Sequence, residues 1–76
     1  MKTQTKTLED YLALPYAITL YPDAEGGYTV VIADLPGCLS QGETEAEALA
    51  NINDAKAVWL ETALANGDFI PVPSHQ

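Results

Sequence analysis

The spacing of apolar and polar positions changes several times along this chain, and each change marks an element. Leu8, Tyr11 and Leu12 recur at i, i+3 and i+4, the spacing of one helical face. Thr7 precedes them as an N-cap residue, and Asp10 puts a carboxylate in the first turn. Pro15 disfavours helical geometry at Leu14, so a short helix over residues 8–14 is predicted. Residues 16–21 (YAITLY) are β-branched and aromatic and read as a strand. Residues 22–27 form a loop whose Gly26-Gly27 pair supplies positive φ. From Gly27 to Ala33 the pattern alternates, with Tyr28, Val30 and Ile32 on one face and Thr29, Val31 and Ala33 on the other. The two runs predict an antiparallel hairpin. Asp34-Leu35-Pro36-Gly37 then breaks the ladder, with Pro and Gly placed for a type II turn. Residues 38–41 make a short third strand that Gly42 ends.

The period then becomes helical. Thr44 and Glu47 form a capping box: the hydroxyl accepts from the Glu47 N–H, and the Glu47 side chain reaches back to the Thr44 N–H. The helix should run to Asn66, with Gly67 as its left-handed stop. Ala48, Leu49, Ile52, Ala55, Lys56, Trp59, Leu60, Ala63 and Leu64 share the predicted sheet-facing stripe. Phe69-Ile70-Pro71-Val72-Pro73 reads as an edge strand or polyproline segment, because two prolines bar it from a sheet interior. The predicted class is α+β in a single domain over residues 1–76. A short N-terminal helix precedes a three-stranded antiparallel sheet, one long helix packed on it and a short C-terminal edge strand (β-β-β-α-β). Residues 1–7 and 74–76 are expected to be flexible tails.

Composition narrows the function more than the fold. With 76 residues and 47% hydrophobic content, the chain builds one small core. Self-association, as a dimer or tetramer through an edge strand or the exposed helix face, is the expected route to more buried area. Eleven acids against three lysines give a formal net charge of −8. Neutralising phosphates requires cations, so direct nucleic-acid binding is not expected. Lys2 and Lys6 lie near the N-terminus and only Lys56 in the body. The acidity either serves solubility alone or attracts a basic partner. Cys38 is the one cysteine, which excludes an internal disulfide. No apolar leader or membrane-length run is visible, so the cytoplasm is the default.

The chemistry-bearing residues have structural alternatives. Asp23, Glu25, Asp34, Glu43 and Asp54 are the carboxylates that could hold a metal, yet turn and cap roles account for four of them and no two form a convincing pair. Cys38 is a nucleophile candidate without a base, because the single histidine, His75, sits in the tail. A small buried hydrophobe is the simpler reading. Trp59 belongs on the apolar helix face rather than in a binding hot spot. No catalytic, cofactor-binding or metal residue is expected. Tyr21, Asp23, Glu25, Tyr28 and Asp34, acids and amphipathic aromatics around the turns, are the candidate partner-binding residues.

Four motifs occur in a telling order: Tyr-Pro-Asp-x-Glu-Gly-Gly-Tyr at 21–28, Asp-Leu-Pro-Gly-Cys at 34–38, Gly-Glu-Thr-x-x-Glu-Ala at 42–48 and Ile-Pro-Val-Pro-Ser at 70–74. In this they resemble the HicB family of bacterial antitoxins and its stand-alone relatives. The resemblance implies a partial, inactive ribonuclease-H-like fold. It also implies a partner, a small basic HicA-type toxin that cleaves mRNA and whose catalytic histidine the antitoxin covers. Family antitoxins usually add a C-terminal DNA-binding segment; none follows Ser74 in this sequence, so promoter binding is expected to be absent. Two further readings stand beside an antitoxin: a structural or regulatory oligomer without a toxin, and a small enzyme.

Overall fold

Strand register decides which side chains reach the core. The structure, a computed structural model, describes residues 7–73. It contains α1 (Leu8–Leu12), β1 (Thr19–Pro22), β2 (Tyr28–Val31), β3 (Leu39–Gly42) and α2 (Glu45–Asn66), in that order. The strands form one antiparallel sheet in the order β1-β2-β3. Leu20, Val30 and Ser40 are register partners, as are Tyr21, Thr29 and Gln41. Side chains alternate across a strand, so the first row turns towards α2 and the second away from it. Val30 from the sheet, Ile32 just beyond β2, Leu35 from the turn, and Ile52 and Leu60 from α2 are the large side chains buried almost completely. Each such aliphatic contributes roughly 1.5–3 kcal/mol of transfer free energy.

The turns follow from their residues. The Cys38 N–H donates to Leu35 O at 2.9 Å across Pro36-Gly37, and Gly37 has φ 81°. That is the predicted type II geometry. The Ile32 N–H donates to Cys38 O at 3.0 Å and the Asp23 N–H to Gly27 O at 2.9 Å, so each hairpin closes one residue pair beyond its strands. At the end of α2, Gly67 has φ 72°; its N–H donates to Leu64 O and the Asp68 N–H to Ala63 O. These two bonds make a Schellman stop.

Several expectations need correction. Strand β1 begins at Thr19, not at Tyr16. The Tyr16 N–H instead closes a turn on Leu14 O at 2.9 Å, and its buried ring sends the hydroxyl to Pro71 O at 2.6 Å. Strand β2 is shorter than residues 27–33, and Gly42 belongs to β3 rather than ending it. Helix α1 stops at Leu12; Ala13 and Leu14 donate back to Glu9 O and Tyr11 O and close its last turn. The reciprocal cap forms there, between Thr7 and Asp10. At α2 only half of it forms: the Glu47 N–H donates to Thr44 Oγ1 at 3.0 Å, but Glu47 Oε1 accepts from the Glu43 N–H at 2.6 Å. The C-terminal edge strand is not formed among the described residues. Pro71 and Pro73 have no N–H for a ladder, and the segment is held by the Ile70 side chain and by Tyr16 on Pro71 O. Leu49 and Leu64 lie on the solvent side of α2, at 42% and 37% exposure, rather than on its sheet-facing stripe. The tail expectations for residues 1–6 and 74–76 concern residues outside those described.

Candidate functional site

The β1–β2 loop and the start of α2 meet at one end of the fold, and the meeting depends on glycine. A Cβ on Gly42 would lie 2.7 Å from Ala48 Cα and 2.8 Å from Glu47 C. A Cβ on Gly27 would sit 3.0 Å from Gly42 O. Only bare backbone lets the loop, the end of β3 and the first turn of α2 pack this closely.

The result is an open cleft of about 350 Å³, lined chiefly by Asp23, Tyr28, Gln41, Glu43, Glu47 and Asn51. A neighbouring hollow of about 250 Å³ shares Gly26, Gly27 and Glu43 and adds Glu25. The Thr29 hydroxyl lies 3.2 Å from each Asp23 carboxylate oxygen and orients that group. The Asn51 side-chain amide donates to Gln41 O at 2.7 Å and ties α2 to the free edge of β3. Glu47 is engaged with the Glu43 N–H. Asp23, Glu25, Glu43, Glu45 and Glu47 therefore converge around one loop and one helix start.

Of the predicted partner-binding residues, Asp23, Glu25 and Tyr28 come together here. Tyr21 lies nearby on the outer sheet face, 52% exposed and opposite Thr29. Asp34 is at the other end of β2, in the connection to β3. Gln41, Glu43, Glu47 and Asn51 also line the cleft, although none was among the predicted partner-binding residues. Glu43 and Glu47 are visible in the sequence as cap residues. Nothing in the sequence shows that the helix start folds back over the β1–β2 loop, which is what places them beside Asp23.

The remaining reactive groups lie elsewhere. Cys38 is 4% exposed, and burial pushes its thiol above the ordinary value, an effect Lys56 partly offsets. Tyr16 is also raised, first by burial and then by Tyr11 and Asp34. Among the described residues no three His, Cys, Asp or Glu side chains gather as a metal-binding group, and no helix is long and apolar enough to cross a membrane. The Trp59 indole N–H donates to Pro36 O at 2.8 Å, pinning the 34–37 turn to α2. His75 lies outside the described residues.

The sequence that builds this end of the fold has relatives among known proteins. A family profile described as a HicB-like antitoxin of a bacterial toxin–antitoxin system matches residues 16–76. A UPF0150 protein of Synechocystis sp. is 46% identical over 56 residues, which are 74% of this chain and 77% of that protein. Antitoxin HicB of Escherichia coli (strain K12) is 42% identical over 59 residues, 78% of this chain and 43% of that protein. Antitoxin HicB 1 of Photorhabdus laumondii subsp. laumondii is 41% identical over 58 residues, 76% of this chain and 37% of that protein. The chain thus spans less than half the length of these two antitoxin relatives.

Proposed function

The chain belongs to the HicB-like antitoxin family of bacterial toxin–antitoxin systems, and from that premise we propose that it is a toxin-binding module, one that sequesters a small basic HicA-type mRNA ribonuclease and does no chemistry itself. The observation that carries the reading is the acidic end of the fold. Asp23, Glu25, Glu43, Glu45 and Glu47 converge there, while Lys56 is the only lysine or arginine among the described residues. Such a surface attracts a cationic protein from a distance and discriminates against acidic ones. Tyr21 and Tyr28 flank the acids and supply amphipathic contact area. The same charge distribution supports no direct contact with nucleic acid. The cytoplasm, where an mRNA-cleaving toxin acts, is the corresponding compartment.

The test is co-expression with the small basic protein of the neighbouring reading frame, read as growth and as co-purification. Relief of growth inhibition and a stable complex are the expected outcomes. Asp23→Lys combined with Glu25→Lys, at two exposed loop positions, should weaken the complex and flatten its loss with salt, because less of the remaining affinity is electrostatic. Unrelieved growth inhibition by a well-folded chain rejects the reading. A second reading, a structural or regulatory oligomer with no toxin, is favoured by a separate apolar surface at the far end of α2.

A further inference from the structure

The last turns of α2 border a second hollow of different character. A groove of about 380 Å³ runs between the helix, the Pro36 turn and the segment after Gly67. Pro36, Trp59, Ala63 and Pro71 line it, and Asp68 is its only acid. Trp59 is half-buried and fixed by its bond to Pro36 O. At the rim stands Phe69, 85% exposed. Its outward position has a local cause. The Asp68 N–H is committed to Ala63 O, and Ile70 is buried at 6%. The residue between these two anchors is turned away from the core.

We propose that this face joins two copies of the chain across a two-fold axis, with Phe69 of each copy seated in the groove of the other. An isologous contact requires one surface to carry both the projection and the recess that receives it. Phe69 and the groove meet that requirement side by side. Charge selects the same face. Two copies at −8 each repel, and five of the eleven acids sit at the loop and helix-start end. Fourteen residues separate Glu45 from Trp59, about 21 Å of helix at about 1.5 Å per residue. That exceeds about two Debye lengths at physiological ionic strength. Pairing at the groove end leaves the acidic ends apart and free for a basic partner. The sheet edges are poorer routes. Pro22 lacks an N–H at the end of β1, and the Asn51 amide occupies Gln41 O on β3.

The experiment is sedimentation equilibrium of the full chain from micromolar to submillimolar concentration, with Trp59 emission followed in parallel. Trp59 is the only tryptophan and lines the groove, so it reports on this face directly. The expected result is a mass rising from 8.1 kDa towards twice that value, with emission moving to shorter wavelength over the same range. Added salt should leave the association unchanged or strengthen it. Phe69→Asp should weaken it by at least about 30-fold, the effect of losing an aromatic hot spot. The thermal midpoint of its monomer should stay put, because the side chain is exposed. A monomer at every concentration overturns the proposal. So does a dimer that Phe69→Asp leaves intact, or one that forms without moving Trp59 emission. Toxin capture is read at the opposite end of the fold and survives any of these failures.

Discussion

Replacing Gly42 with alanine would add one methyl group where the structure has no room for it. The new Cβ would fall 2.7 Å from Ala48 Cα and 2.8 Å from Glu47 C, and it would also run into Ala48 N. Ordinary carbon–carbon contacts lie near 3.5–4.0 Å, so the helix start must retreat by about 1 Å. The atoms in the way are backbone and cannot rotate aside. Ala48 is fully buried, and the same turn is held by Thr44 on the Glu47 N–H and Glu47 on the Glu43 N–H. Overpacking of this kind costs about 1–3 kcal/mol, and a disturbed N-cap adds about 1 kcal/mol. We expect a loss of about 3 kcal/mol. A chain of this length has roughly 4–11 kcal/mol in total, so the thermal midpoint should fall by about 12–24 °C. Gly37→Ala is the control: its Cβ meets open space, and only the φ of 81° penalises it. That substitution should cost about 1–2 kcal/mol. Urea and thermal unfolding followed by circular dichroism measure both. If Gly42→Ala melts within a few degrees of wild type, or above Gly37→Ala, the close approach of β3 to α2 is not what fixes the acidic end.

The remaining predictions address the cap and the buried tyrosine. Thr44→Ala removes the hydroxyl that accepts from the Glu47 N–H at 3.0 Å and should cost about 1 kcal/mol in denaturant titrations. Tyr16→Phe removes the donor to Pro71 O and should cost about 1 kcal/mol at neutral pH. Folding raises the Tyr16 pKa above 10.0, chiefly by burial. The stability tied to its protonated form is therefore fully present below pH 10.0 and is lost as pH rises through the folded-state value. The stability gap between wild type and Tyr16→Phe should close as pH is raised beyond 10.0; a gap that stays constant or widens contradicts the assignment.

The acids of this chain serve the fold and the surface together. Asp10 and Glu47 hold helix starts through backbone N–H groups, and Asp23 is oriented by Thr29 in the loop it begins. Carboxylates fixed in this way form a surface without paying for order when a partner arrives, because their rotamers are already restricted. A stable fold and a ready charged face arise from the same residues.

Local rules account for what the sequence alone could determine. Pro36-Gly37 fixes a type II turn, Thr44 starts α2 and Gly67 stops it, because each outcome rests on φ preference or a hydrogen bond within a few residues. The alternation through Tyr28–Val31 identified the central strand for the same reason. The outcomes that required the tertiary structure all involve partners far apart in the chain. Tyr16 reads as a strand residue until Pro71, 55 positions away, claims its hydroxyl. Gly42 reads as a strand terminator, whereas its lack of a side chain is what admits Ala48. Leu49 and Leu64 fit the helical period, yet both remain exposed once α2 is packed on the sheet. Asp23 and Glu25 could be picked out as surface acids from sequence. That they share an end with Glu43, Glu45 and Glu47, while Phe69 stands over a groove at the other, follows from helix α2 lying across the sheet, a choice made by burial of the whole core and not by any local preference.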